Sequence, residues 1–309
     1  MTSESWWQRR SQCAKTLLTE CYANSMGPLS KIEPRLGAAL KHLLTRPGSM
    51  ARAVVAYMVG IEMGLLEEGA RAIACGIEYL HTASLVFDDL PSMDDATHRR
   101  GAECVHLVHG ESAAILAALA MINRGYALLW QGVALGNCER RKQASEWISQ
   151  CLGTGGVIGG QALDLNSWTS SKDTASVSKV AAMKTADLLR LSVVLPAILG
   201  KATRREIQML DRLALFRGLA YQAADDLKDV FQNSLTSGKT GERDLALGRP
   251  SLVTTEGTEG AIHRFLRLNA IAERLQKSIP ATFCQWQILD KLRVPLPVDM
   301  EELKIRLAV

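Results

Sequence analysis

Apolar residues recur along this chain in steps of three and four, not two. Ile77, Leu80, Ser84 and Phe87 form one such series; Ile115, Leu116, Leu119, Ile122 and Tyr126 form a second; Leu213, Phe216, Ala220 and Ala223 form a third. That spacing places each set on one face of an α-helix. Proline and glycine interrupt the pattern near 28, 34, 47–48, 91, 101, 110, 153–160, 238–241 and 248–250. No Asn-Gly or Asp-Gly pair occurs, and strict alternation is hard to find, so hairpins are not expected. The pattern predicts one all-α domain over 1–309, with about ten helices and its site among facing helices. Pro196 is expected to kink or end the helix running through Leu191–Leu199.

Composition agrees with this reading. Hydrophobic residues make up 47% and aromatics only 5%, a bias toward helices over sandwiches. The net charge of +4 is dispersed, with no basic block interleaved with aromatics, so a nucleic-acid partner is not expected. The seven cysteines show no Cys-x-x-Cys spacing, which argues against a disulfide framework or zinc site and for reduced thiols in a cytoplasm. The polar start, Met1-Thr-Ser-Glu-Ser-Trp-Trp, does not read as a secretory signal. The longest apolar run, Ala113–Ile122, is short of the ~20 residues of a transmembrane segment.

Two acidic clusters change the picture from fold to chemistry. Asp88-Asp89-Leu-Pro-Ser-Met-Asp94 closes one apolar helix, and Asp225-Asp226-Leu-Lys-Asp229 emerges from another. Asp225 and Asp229 are four apart and share a helix face. Carboxylates at the edge of a core are costly unless neutralised. With diphosphate oxygens and water they form the donor set that Mg²⁺ prefers. Two clusters on one cavity would hold several such ions against a leaving diphosphate.

The ordered motifs go further. Glu78-Tyr-Leu-His81-Thr-Ala-Ser-Leu-Val-Phe-Asp88-Asp89 is followed by Asp95-Ala-Thr-His-Arg99-Arg100-Gly101, and then by Gly159-Gly160-Gln161-Ala-Leu-Asp164-Leu. Lys184-Thr185-Ala-Asp-Leu-Leu-Arg, Tyr221-Gln222-Ala-Ala-Asp225-Asp226 and Gly238-Lys239-Thr240 complete the series. Over roughly 36–255 the chain resembles the trans-isoprenyl diphosphate synthases (polyprenyl synthetases), especially the geranylgeranyl type.

The resemblance implies an isoprenoid-synthase-type helical bundle around a central cavity, commonly a homodimer. It implies roughly three Mg²⁺ ions on Asp88, Asp89 and Asp94 and on Asp225, Asp226 and Asp229. Arg99, Lys184 and Lys239 would hold an allylic prenyl diphosphate, with Arg249 near the place of another family lysine. His81, Arg100 and Arg52 would contact isopentenyl diphosphate. Thr185 and Gln222 would lie along the developing allylic cation. Ala83, Ser84 and Phe87, just before Asp88, would shape the cavity that sets product length, C15–C20 or longer. The glycines of 155–160 lack the preceding strand of a phosphate loop and read as helix-packing positions.

One stretch departs from the family. Where Gly-Gly-Lys-Arg-x-Arg-Pro is usual, the chain reads Pro47-Gly48-Ser49-Met50-Ala51-Arg52-Ala53, and only Arg52 keeps its charge. The main expectation is a magnesium-dependent prenyltransferase that condenses isopentenyl diphosphate with an allylic diphosphate. A terpene synthase that ionises one allylic diphosphate alone is the alternative that Ser49 and Met50 raise. A non-catalytic regulatory subunit of a prenyltransferase is the third.

Overall fold

The computed structural model describes residues 3–166, 173–232, 250–279 and 286–295. Among these residues the chain is helical, with one two-residue hairpin. It divides into two compact units: Met1–Glu146 with Ser192–Ala202, and Trp147–Leu191 with Thr203–Val309.

The first unit begins with α1 (Ser3–Asn24), α2 (Pro34–Leu44), α3 (Ala51–Glu62) and α4 (Glu67–Asp88). The hairpin of β1 (His98–Arg99) and β2 (Ala102–Glu103) follows, then α5 (Val105–His109) and α6 (Glu111–Leu135). Glu33 caps α2 by accepting from Leu36 N at 2.8 Å, and Pro34 fills the first helical position. Among the described residues, the pairing of α4 with α6 is the most extensive helix contact. Glycine makes it possible: a Cβ on Gly76 would lie 2.9 Å from Gly125 O, and one on Gly125 would lie 2.8 Å from Leu80 Cγ.

This close crossing corrects the sequence pattern on α6. Its buried face is small at Ala113, Ala114, Ala117, Ala118, Gly125 and Gly132, and larger only at Met121, Leu128, Leu129 and Val133. Ile115, Leu116 and Leu119 point outward, 37–52% exposed. Backbones that approach this closely leave no room for branched side chains between them. The helix also runs through Asn123 and Arg124, which interrupt the apolar run but not the helix. Its 25 residues are long and apolar enough to cross a membrane by length and composition, although nearly half of the most apolar window is buried in the protein.

The hairpin was not anticipated from the sequence. Its two-residue turn is Arg100-Gly101, with φ of 54° and 76°. Positive φ at both positions is the geometry that matches strand twist. Arg100 is not a usual residue there, and tertiary contacts described below hold it in place.

The second unit carries α7 (Arg141–Leu152), shared at the boundary, then α8 (Val157–Asn166) and α9 (Thr174–Ala181). A π-turn at Ala182–Ala186 leads into α10 (Asp187–Leu199), which belongs to this unit as far as Leu191 and to the first unit from Ser192 on. The unit is completed by α11 (Arg204–Gln232) and α12 (Leu252–Ser278). Val177, Ala220, Ala224, Leu227, Ile262 and Phe265 form its core between α9, α11 and α12. Pro196 lies inside α10, which runs three residues further before Gly200 N closes on Pro196 O at 3.0 Å. Pro196 therefore does not end the helix; its missing amide removes only the bond that would run back to the carbonyl of residue 192.

Candidate active site

In the first unit, α4 delivers Asp88 at its final residue and Asp89 at its C-cap. The chain then doubles back after Pro91. Asp94 N donates to Asp88 O at 2.8 Å and Ala96 N to Asp89 O at 3.1 Å, with Asp95 at φ 47°. These bonds satisfy carbonyls that a helix end leaves open and bring Asp94 back beside Asp88. The α4 C-terminus has no basic residue in its last turn, so its dipole and the carboxylates both call for a cation.

Arg99 on β1 supplies one. Its Nε donates to Asp89 Oδ1 at 2.9 Å and its Nη2 to the same oxygen at 2.5 Å; Nη1 lies outside the pair. Asp89 is 5% exposed, and a carboxylate so enclosed needs such a partner. Burial acts to lower Arg99, but the hydrogen bond and charge of Asp89, with Asp88, raise it above the usual guanidinium range. Thus an expected metal carboxylate and an expected diphosphate cation meet each other.

Arg100, in the turn, has a different set of partners. Its guanidinium donates to Arg46 O at 3.0 Å and reaches Thr82 Oγ1 and Glu78 Oε1, each at 3.4 Å. It lies against Gly48 so closely that a Cβ there would be 2.7 Å from Nε. Glu78 is 2% exposed, and burial pushes its carboxyl up to about 7, with Arg100 and Arg52 pulling it down. His81 Nε2 is 3.2 Å from Arg52 Nη1. Arginine only donates, so Nε2 accepts and the neutral ring carries its proton on Nδ1. Burial, then the charges of Arg52, Arg100 and Arg99, hold His81 well below the usual imidazole range.

Ser49 and Met50 do local work here. Met50 is 1% exposed at φ 56°, and Ser49 Oγ accepts from Ala51 N at 3.4 Å. Neither presents a donor like the lysine and arginine of the family motif. Of the expected cavity residues, Ala83 is buried, Ser84 Oγ is tied to His81 O at 2.9 Å, and Phe87 is half-buried. His42, Arg46, Thr82, Asp89, Arg99 and Arg100 line a cavity of about 30 Å³, large enough for water but not for a diphosphate. The sequence reading missed Arg46, which contributes through its backbone oxygen, a group with no sequence signal.

In the second unit, Lys184 and Thr185 sit within the π-turn. Such turns re-aim side chains that a regular helix would stack. Two glycines make room for it: a Cβ on Gly160 would lie 2.5 Å from Lys184 N, and one on Gly218 would lie 2.5 Å from Ala186 Cβ. Gly160 is therefore a packing glycine, as expected. Lys184 Nζ pairs with Asp164 at 2.7 Å.

A relay runs from Thr185 into α11. Thr185 Oγ1 donates to Gln222 Oε1 at 2.9 Å, and Gln222 Nε2 donates to Asp226 Oδ1 at 2.9 Å. Asp226 Oδ2 accepts from Leu252 N, at the start of α12, at 2.8 Å. The direction of donation matters: the Thr185 hydroxyl proton is committed to Gln222, so the Thr185 oxygen presents lone pairs outward. Asp226 is 8% exposed, Asp225 half-buried and Asp229 exposed. Asp226 thus anchors α12, while Asp225 and Asp229 share the other face. Lys239 and Arg249 lie outside the described residues.

The donor chemistry fits magnesium of the substrate-bridged kind. Among the described residues no three His, Cys, Asp or Glu side chains converge to cage an ion by themselves. Mg²⁺ is commonly held by one or two carboxylates plus substrate phosphates and water, and aspartate pairs at helix ends suit that role.

Comparison with known proteins agrees with the motifs. Residues 33–279 match the family model described as polyprenyl synthetase. A chloroplastic geranylgeranyl pyrophosphate synthase of Capsicum annuum is 32% identical over 237 residues, covering 76% of this chain and 64% of that protein. The chain therefore spans just under two thirds of the length of that relative. A geranylgeranyl diphosphate synthase of Pantoea ananas is 29% identical over 231 residues, 74% of each chain. The solved structure of a geranyltransferase from Helicobacter pylori, complexed with magnesium and isoprenyl diphosphate, superposes with a TM-score of 0.77 at 24% identity over 97% of both chains. The all-α fold is shared with that structure, and the chain belongs to the polyprenyl synthetase family.

Proposed function

We propose that the chain is a magnesium-dependent prenyltransferase that condenses isopentenyl diphosphate with an allylic prenyl diphosphate to a short-chain product. The observation that carries this reading is the turn closing α4, where Asp88 and Asp94 are joined through the backbone and Asp89 holds Arg99. Family membership and the names of the relatives support it. A magnesium-bound relative of the same fold supports the choice of ion.

In this reading Asp88, Asp89 and Asp94, and Asp225 and Asp229, offer oxygens to roughly three Mg²⁺ ions. Magnesium held there would supply the charge that neutralises the leaving diphosphate. Arg99, paired with Asp89, and Lys184, paired with Asp164, would supply fixed cations for that diphosphate. The allylic C–O bond breaks and its electron pair leaves with the diphosphate. The Thr185 oxygen, oriented by Gln222, faces the positive carbon with lone pairs. The isopentenyl double bond attacks that carbon, and the adjacent carbon then loses a proton to the departed diphosphate. Arg52 and neutral His81 serve the isopentenyl diphosphate, and Arg100 shapes their loop. Ala83, Ser84 and Phe87 limit the product's length.

A homodimer is part of the proposal. Leu107 and Val108 of α5, with Leu116, Leu119 and Trp130 of α6, are large apolar residues left 45–52% exposed, which suits a partner surface. The described cysteines are all free, which fits a reducing compartment such as the cytoplasm. The test is incubation with Mg²⁺, isopentenyl diphosphate and C5, C10 or C15 allylic diphosphate. A longer linear diphosphate is the expected product. A hydrocarbon or alcohol made from the allylic substrate alone points to a terpene synthase, and no turnover points to a regulatory subunit.

A further inference from the structure

Away from the aspartate clusters, the first unit carries a second cavity of about 340 Å³, bounded by α1, α4 and α6. That volume is within the range of small-ligand sites. Ala72 and Leu128 form an apolar floor, and Arg71, Arg124, Asn24 and Gln131 line the walls.

In this cavity Arg71 and Arg124 outnumber the one lining carboxylate, Glu68. No hydrogen bond or ion pair joins Arg71 or Arg124 to any described residue. The one carboxylate on the rim, Glu68, is held instead by Gln131 Nε2 at 2.9 Å. Cys75, also in the wall, provides no anion: burial above all pushes its thiol up to about 12. Arg124 Nε is buried and lacks an acceptor. A buried donor on a charged group left without an acceptor is a costly arrangement, and two like charges on one cavity add repulsion. Both costs disappear if an anion rich in oxygen enters between them. Guanidinium groups pair with phosphate oxygens in a two-pronged geometry.

We propose that this cavity binds the phosphate or diphosphate group of a small molecule, clamped between Arg71 and Arg124. The inference does not rest on the reaction proposed above, because none of these side chains has a role in it. It is tested by calorimetric titration of the full chain with inorganic diphosphate, and in a parallel arm with orthophosphate, both in EDTA. Arg71→Gln and Arg124→Gln are the variants. The expected result is saturable binding in at least one arm, weakened tenfold or more by either substitution. Equal affinity in wild type and both variants, or no saturable binding in either arm, overturns it and leaves a water-filled cavity. If a variant fails to fold, iodoacetamide labelling of Cys21 in the wild-type wall decides. Protection by the same anions is expected, and an unchanged rate overturns the proposal.

Discussion

Adjacent aspartates on α11 are expected to give opposite phenotypes. Asp226 accepts from Gln222 at 2.9 Å and from the first amide of α12 at 2.8 Å, at 8% exposure. Hydrogen bonds to a charged group contribute roughly 1.5–3 kcal/mol each, and desolvation of the carboxylate offsets part of that. Asp226→Ala leaves the Leu252 amide buried without an acceptor, so a loss of roughly 2–4 kcal/mol is expected. Asp226→Asn has one acceptor oxygen for two donors and should lose about half as much. Asp225 is half-buried on the other face. Asp225→Ala should cost less stability than Asp226→Ala, since the residue is only half-buried and alanine is a better helix former. It should nevertheless lower kcat/KM for prenyl transfer by roughly 100-fold or more. Urea unfolding followed by circular dichroism, with initial rates on the folded variants, separates the two. A wild-type urea midpoint for Asp226→Ala, or an equal loss in Asp225→Ala, refutes the assignment of one residue to structure and the other to chemistry.

Three further outcomes follow from other parts of the molecule. Leu116→Glu with Leu119→Glu places charge on exposed apolar positions of α6 and should convert a dimer to monomer in sedimentation velocity; an unchanged sedimentation coefficient counts against that interface. Gly125→Val drives a branched side chain into Leu80, where even a Cβ would lie 2.8 Å away, and should cost about 1–3 kcal/mol or more in urea unfolding. Glu78 holds its proton more tightly folded than unfolded, because burial raises its carboxyl from 4.5 to about 7. Its stabilising contribution, at most about 3 kcal/mol, is complete below pH 4.5 and lost as pH rises through 7. Glu78→Gln should flatten the slope of unfolding free energy across that window, and an unchanged slope rules the effect out.

Helix existence was legible in the sequence because the three- and four-residue spacing is local. The face of α6 was not, because the partner there is backbone. Gly76 and Gly125 let two helices touch, and Ile115, Leu116 and Leu119 of the apolar series end up outside. The π-turn under Lys184 and Thr185 has no residue signature of its own; Gly160 and Gly218, which accommodate it, are distant in sequence from one another. The Arg100 turn escaped notice because a positive φ at arginine is stabilised by Arg46, Thr82 and Glu78, all remote in the chain.

Site residue types were legible, and their partners were not. The motifs named Asp89, Arg99, Lys184, Gln222 and Asp226. They gave no sign that Asp89 holds Arg99, that Asp164 holds Lys184, or that Asp226 caps α12. Those pairings depend on which helix ends meet. Ser49 and Met50 looked like an eroded substrate loop; folded, Met50 is a core residue and Arg52 reaches His81.

The central claim is that cation formation is coupled to capture by isopentenyl diphosphate. The most direct measurement is diphosphate released by the wild-type chain with Mg²⁺ and an allylic diphosphate, with and without isopentenyl diphosphate. Release matching isopentenyl diphosphate consumed, and negligible release when it is omitted, is the predicted result. Steady release from the allylic substrate alone would contradict the account.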